Sequence, residues 1–271
     1  MRSKKKEEPS AIARDQKPMG CLSLLQTFLG IRKVSISAGV LIVGSLYWED
    51  TRARKKWRDT RLNMKDQALV SAPIRYGRKS TKRGDSYTMV FSTELCQAKN
   101  HLGSGILVAC RHAIYTVDDL VAEAEYLWAA EKDTEQRTSD VSATWGCIAL
   151  LVNPKNPNIA RLIDGWVKRI AQEKHYGKLE RAHGESALVN ADGQIAIPWP
   201  QRKDGKAIDT DILLLTATNP TTVDGRYATP EEIASAWKIP SGRGHVSYFW
   251  NNRKSGVETF QDTEIEALLN R

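Results

Sequence analysis

AGVLIVGSLYW, residues 38–48, is the stretch on which the fold turns. Val40, Leu41, Ile42 and Val43 form an unbroken apolar run that ends at Gly44 and Ser45. A run of this kind reads as a central strand buried on both faces. Glycine directly after such a strand lets the backbone turn sharply and approach a ligand, and the amides that follow can donate to an anion or oxyanion. A structural turn with no ligand accounts for the same spacing.

The wider apolar stretch, Val34 to Tyr47, carries Ser35, Ser37 and Ser45, and it falls short of the roughly 20 residues that span a bilayer. Upstream, residues 1–33 read as a basic flexible leader with a short helix. Met1 to Pro18 holds Lys4, Lys5, Lys6, Glu7 and Glu8 and too little apolar surface to offset its ordering entropy. Leu22, Leu25, Phe28 and Leu29 recur at helical spacing. The leader is long and mixed in charge, and no small-residue cleavage site follows, so no signal peptide is expected.

Across 271 residues, 41% are apolar and 27% charged, which excludes general disorder and the fibrous and membrane classes. One elaborated domain, or a domain with an extension, is expected. Cys21, Cys96, Cys110 and Cys147 form no CxxC pair, and His101, His112, His175, His183 and His245 have no paired-ligand spacing. No metal site, cofactor or disulfide framework is expected, and the cysteines read as buried apolar residues of a cytoplasmic, reducing setting.

The clearest helix starts at Thr116, an N-cap followed by Asp118 and Asp119. Val117, Leu120, Val121, Ala124, Leu127 and Trp128 form its apolar stripe, with Ala122 and Tyr126 facing away. Stepping 100° per residue puts Glu131 near the middle of that stripe. A carboxylate there would have its charged form disfavoured by desolvation, which suits proton transfer near neutrality. A helix that ends by Ala130 would instead leave Glu131 in solvent. Glu123 and Glu125 lie off the stripe and are expected to be solvated.

Further strands are expected at Ser86 to Ser92, Gly105 to Cys110, Cys147 to Val152, near Ala187 and Ile195, and at Ile212 to Thr216. Helices are expected from about Ile159 to Glu173, at Ile233 to Trp237 behind Thr229, Pro230 and Glu232, and at Thr263 to Leu269. The fold class is α+β, divided as leader 1–33, core 34–155 and a C-terminal α/β extension 156–271 packed on the core.

Between Thr51 and Gly84 twelve Lys and Arg stand against two Asp, a balance of +10 in a chain whose net charge is +8. With Trp57 and Tyr76 alongside, Arg52, Arg54, Lys55, Lys56, Arg58, Arg75, Arg78, Lys79 and Lys82 could grip a nucleic acid or another partner. A solvated basic face, or an anchor for a small anionic substrate, explains the block as well. No helix-turn-helix, zinc-finger or RNP signature accompanies it, and there is no GxSxG elbow.

Three segments together resemble the γ-glutamylcyclotransferase superfamily, particularly its ChaC-type branch. Gly44-Ser45-Leu46-Tyr47-Trp48 resembles the YGSL-x-W substrate loop. Ser80-Thr81-Lys82-Arg83-Gly84 with the strand Tyr87 to Phe91 is similar to the S-x-x-R-G stretch, and Tyr126-Leu127-Trp128-Ala129-Ala130-Glu131 resembles YLDxRE. Val43 stands in place of the loop tyrosine, and Trp128 and Ala130 in place of the aspartate and arginine. The resemblance covers Val34 to Val152 and implies a small closed or nearly closed mixed β-barrel flanked by helices. It implies a lyase or acyltransferase that cyclises a γ-glutamyl amide to 5-oxoproline and releases an amine. Glu131 would be the catalytic acid-base, Val43, Gly44, Ser45 and Leu46 the substrate loop, and Arg83 a partner for an anionic group.

Overall fold

The computed structural model describes residues 35–156, 159–238 and 245–271; the leader and its short helix, with Cys21, lie outside them. The apolar run becomes β1 (Ala38–Ile42), buried at every position. The chain continues through α1 (Arg52–Arg61), β2 (Leu62–Ala72), β3 (Ile74–Ser80), β4 (Ser86–Phe91), β5 (Gly103–Cys110), α2 (Val117–Lys132), β6 (Ser142–Ala143), β7 (Gly146–Val152) and α3 (Ala160–Ile170). It closes with β8 (Ile212–Thr218), α4 (Pro230–Lys238), α5 (His245–Lys254) and α6 (Asp262–Leu269).

Six strands form one mixed sheet in the order β2-β5-β1-β8-β7-β6, and β3 and β4 form a separate ribbon. β1 is antiparallel to β5 and parallel to β8, with Val40 opposite Leu214. β7 is antiparallel to β8, with Leu150 opposite Leu214. The strand at 212–218 therefore lies between two strands that come far earlier in the chain, so residues past 155 supply the middle of the sheet as well as its surroundings.

The expected closed or nearly closed barrel is not what the described strands form. One edge strand, β2, runs through Pro73 into β3. Proline has no N–H for a ladder, and the ribbon beyond it pairs only with itself. The opposite edge, β6, is two residues long. The two edges stay apart and the sheet stays open. Near Ala187 and Ile195 the chain makes isolated bridges, Val189 with Ile195 and Leu150 with Gln194, in place of strands.

Capping explains where the helices start. Thr116 and Asp119 form a reciprocal capping box on α2, and Thr229 and Glu232 exchange the same pair of bonds ahead of α4. α2 ends at Asp133, whose left-handed backbone caps it, so Glu131 sits inside its last turn. Leu120, Ala124, Leu127 and Trp128 of the stripe are buried.

Glu123 and Glu125, expected in solvent, are buried at 3% and 7% exposure. Each has a guanidinium from another element: Arg61 holds Glu123 through two donors, one at 3.1 Å, and Arg137 and Arg169 reach Glu125 at 3.1 and 3.6 Å. Buried carboxylates survive when paired and hydrogen-bonded. Of the cysteines, Cys147 is buried, and Cys96 and Cys110 are partly covered; all three are free. Among the described residues no helix is long and apolar enough to cross a membrane.

Candidate active site

A cavity of about 480 Å³ opens toward the carboxyl ends of β1 and β8, the position in which open α/β sheets place ligand crevices. Its volume suits a small molecule. Val43, Ser45 and Leu46 line it from the bend after β1, and Glu131 lines it from the last turn of α2. Thr216 and Thr218 contribute from β8, Arg78 from β3, and Tyr248 from α5.

The bend is held from the C-terminal part of the chain. Gly44 has φ +106°, and a Cβ there would stand 2.6 Å from Tyr248 Oη, so both its conformation and its surroundings require glycine. The Trp48 indole Nε1 donates to Asn252 Oδ1 at 2.7 Å, and its ring meets the edge of Tyr248 at 5.9 Å. The Met89 amide donates to Tyr248 Oη at 3.3 Å. Within the bend, Tyr47 N bonds to Gly44 O and Glu49 N to Ser45 O. Among the described residues the amides of Ser45 and Leu46 meet no protein acceptor.

α1 brings a second anchor. Its N-cap Thr51 donates a 2.5 Å bond to Asp133 Oδ1, which ties the start of α1 to the end of α2. One turn on, Arg54 donates to Ser45 Oγ at 2.8 Å and to Ala130 O at 3.3 Å, pairs closely with Glu49, and lies 3.9 Å from Glu131 Oε2. The guanidinium thus gives the Ala130 carbonyl, which also accepts from the Asp133 amide at 3.2 Å, a second donor while joining the bend to the carboxylate's helix. Glu49 also accepts from Arg83 Nη2 at 2.7 Å, so Arg83, expected to meet a ligand anion, already has a protein carboxylate. Its guanidinium lies over Tyr248 and Trp48, 5.1 and 5.7 Å from the ring centres.

Arg78 differs. Its side chain forms no ion pair and no hydrogen bond among the described residues, and its guanidinium lies 4.8 Å from the Trp145 ring centre. Trp145 stacks at 4.6 Å and 18° on Trp128, which is fully buried in α2. Burial lowers the Arg78 pKa, with the Glu131 charge opposing that fall. Burial likewise raises Tyr248.

The basic residues grouped from sequence do not share one face. Arg52, Lys55, Lys56 and Lys79 are exposed. Arg54 and Arg58 are buried at 9% and 5% exposure, Arg58 donating to Leu46 O at 2.7 Å and to Glu49 O at 3.0 Å and pairing with Asp50. Arg75 bonds to Glu94 at 2.9 Å and lies 4.1 Å from the Tyr227 ring. Arg78 faces the cavity, and the Lys82 side chain is outside the described set. Reading the block as one charged patch missed Arg54, Arg58 and Arg78 as inward groups. The available signal was Ala53, Arg54, Trp57 and Arg58 at helical spacing behind the cap Thr51.

One cavity is lined by the carboxylate residue Glu131, by Ser45 and Leu46, whose amides have no acceptor among the described residues, and by Arg78, whose side chain has no hydrogen bond or ion pair among them, a set able to orient a polar substrate and move a proton. Glu49, Arg54, Arg78, Thr216 and Tyr248 were not singled out from sequence as parts of such a site. No family model, curated protein or solved structure matches the chain.

Proposed function

We propose that the chain is a γ-glutamylcyclotransferase-like enzyme that converts a γ-glutamyl amide to 5-oxoproline and an amine inside this cavity. The observation that carries the reading is that Glu131 and Val43, Ser45 and Leu46, groups from distant segments, line one cavity. The reaction is intramolecular, so the protein needs chiefly to fold the substrate, relay a proton and stabilise an oxyanion. Glu131 takes the proton from the attacking α-amine and returns it to the departing nitrogen. The amides of Ser45 and Leu46, without an acceptor among the described residues, donate to the developing oxyanion. Arg54 is a positioning residue that ties Ser45 to the end of the helix bearing Glu131.

The nucleic-acid reading has less support, because Arg54, Arg58 and Arg78 point inward or into the cavity. Incubation with a panel of γ-glutamyl amines, followed by chromatography for 5-oxoproline, tests the enzyme reading. Release is expected from wild type and lost in Glu131→Gln with its thermal midpoint retained. Unchanged release in that variant removes Glu131 as the base, and no release from any member of the panel overturns the reading.

A further inference from the structure

The cavity holds three arginines, and their surroundings differ. Glu49 engages both Arg54 and Arg83. Arg78 has only the Trp145 face beneath it and no carboxylate within ion-pair distance among the described residues. A partly buried guanidinium keeps its hydrogen-bonding fork open at a cost, and that fork matches a carboxylate in shape and charge. The platform beneath it is stiff: Trp145 rests on Trp128, and Trp128 has no exposed surface.

Two further observations bear on the cavity that Arg78 lines as a place for ligand oxygens. The hydroxyl of Thr216, a residue lining the same cavity, is buried without a hydrogen-bond partner among the described residues. A lone buried hydroxyl is unfavourable. The second is the relation to Glu131. Trp128 and Glu131 share α2 one turn apart, so the helix that carries the carboxylate also carries the support of the guanidinium. The Glu131 charge opposes the fall that burial imposes on the Arg78 pKa.

We propose that Arg78, with Thr216, seats the α-carboxylate of an L-α-amino-acid head group whose amine faces Glu131. A carboxylate and an amine on one carbon match a cation and an anion that line one cavity. The assignment rests on the γ-glutamyl reading for the rest of the ligand, and it divides the labour within that reading. Arg78 takes the carboxylate, so the amides of Ser45 and Leu46 remain for the γ-carbonyl oxygen. The anion-binding arginine is then Arg78, and Arg83 serves the Glu49 cluster.

The test uses γ-L-glutamylethylamide, which has a single carboxylate, and its α-carboxamide counterpart. Binding of each is measured by titration calorimetry to full-length wild type, to Arg78→Gln and to Arg83→Gln, and is repeated in a Glu131→Gln background to suppress turnover. The carboxylate ligand is expected to bind wild type about 10- to 100-fold more tightly than the carboxamide. That preference should vanish in Arg78→Gln and persist in Arg83→Gln. Equal affinities in wild type, absence of binding by both ligands, or a preference retained in Arg78→Gln would overturn the proposal. If Arg78→Gln fails to fold, Arg78→Lys replaces it; a lysine lacks the planar fork, so a weakened preference is expected and an unchanged one counts against the seat. A preference that depends on Arg78, found in a protein that forms no 5-oxoproline, would leave the seat standing and remove the cyclotransferase reading.

Discussion

Replacing Arg61 with Met isolates the worth of one buried ion pair. Glu123 is 3% exposed, and its partner donates through Nε at 3.1 Å and through a second, closer nitrogen. Met preserves much of the side-chain volume, including part of the cover that Arg61 gives Tyr126 at 4.4 Å. The carboxylate is left without its cation, and removing one member of a buried pair costs about 3–5 kcal/mol. In a chain of this size that corresponds to a fall of roughly 6–20 °C in Tm. Burial already raises the Glu123 pKa while Arg61 opposes the rise, so the substitution raises it further. A raised folded-state pKa means that the folded state holds the proton more tightly than the unfolded one. The loss is therefore greatest at neutral pH and shrinks as pH falls through the raised pKa toward the ordinary glutamate range. Urea unfolding followed by circular dichroism at about pH 7.5 and about pH 5 measures both effects, and Arg61→Met with Glu123→Leu should restore most of the stability. A loss below about 1 kcal/mol at the higher pH, or an equal loss at both, would refute the reasoning.

Gly44→Ala is expected to destabilise the protein by about 1–3 kcal/mol, since alanine must adopt φ +106° and meets Tyr248 Oη; Tyr248→Phe in the same chain should recover part of the loss in chemical denaturation. Arg54→Met removes the donor shared by Ser45 and Ala130, so kcat for 5-oxoproline release should fall while the fold, read by circular dichroism, persists. Asp262 is buried beneath Thr259, with its pKa raised to about 6. Its contribution is thus lost as pH rises from its ordinary value through that point. The stability of Asp262→Asn relative to wild type should climb by about 2 kcal/mol between pH 4 and pH 7 in paired urea titrations, and a flat difference would contradict the shift.

What the sequence made legible was local. β1 and α2 announce themselves because an apolar run and a capped 3.6-residue stripe are complete within a few turns of chain. The stripe also placed Glu131 toward the interior, and its neighbours Leu127 and Trp128 are buried as their spacing indicated. α1 was hidden because two of its four buried residues are arginines, which a hydrophobic-period reading scores as solvent-facing. Glu123 and Glu125 were misread for the complementary reason: their burial depends on Arg61, Arg137 and Arg169 from other elements. The open sheet was out of reach as well. Pro73 at the β2–β3 junction hinted at a break in the ladder, but the pairing of β8 with both β1 and β7 has no local signature.

That late strand has a bearing on how the molecule is made. During synthesis the first strand emerges from the ribosome long before residues 212–218 exist, and until they arrive the nascent chain holds two raw β-edges, at β1 and β7, with a gap between them. The chain can assemble α1, α2, α3 and the ribbon early, but the wall that carries Thr216 and Thr218 comes only once residues 212–218 have been made. A product truncated at residue 155 would accordingly be a substrate for chaperones or proteases rather than a smaller folded version of the protein.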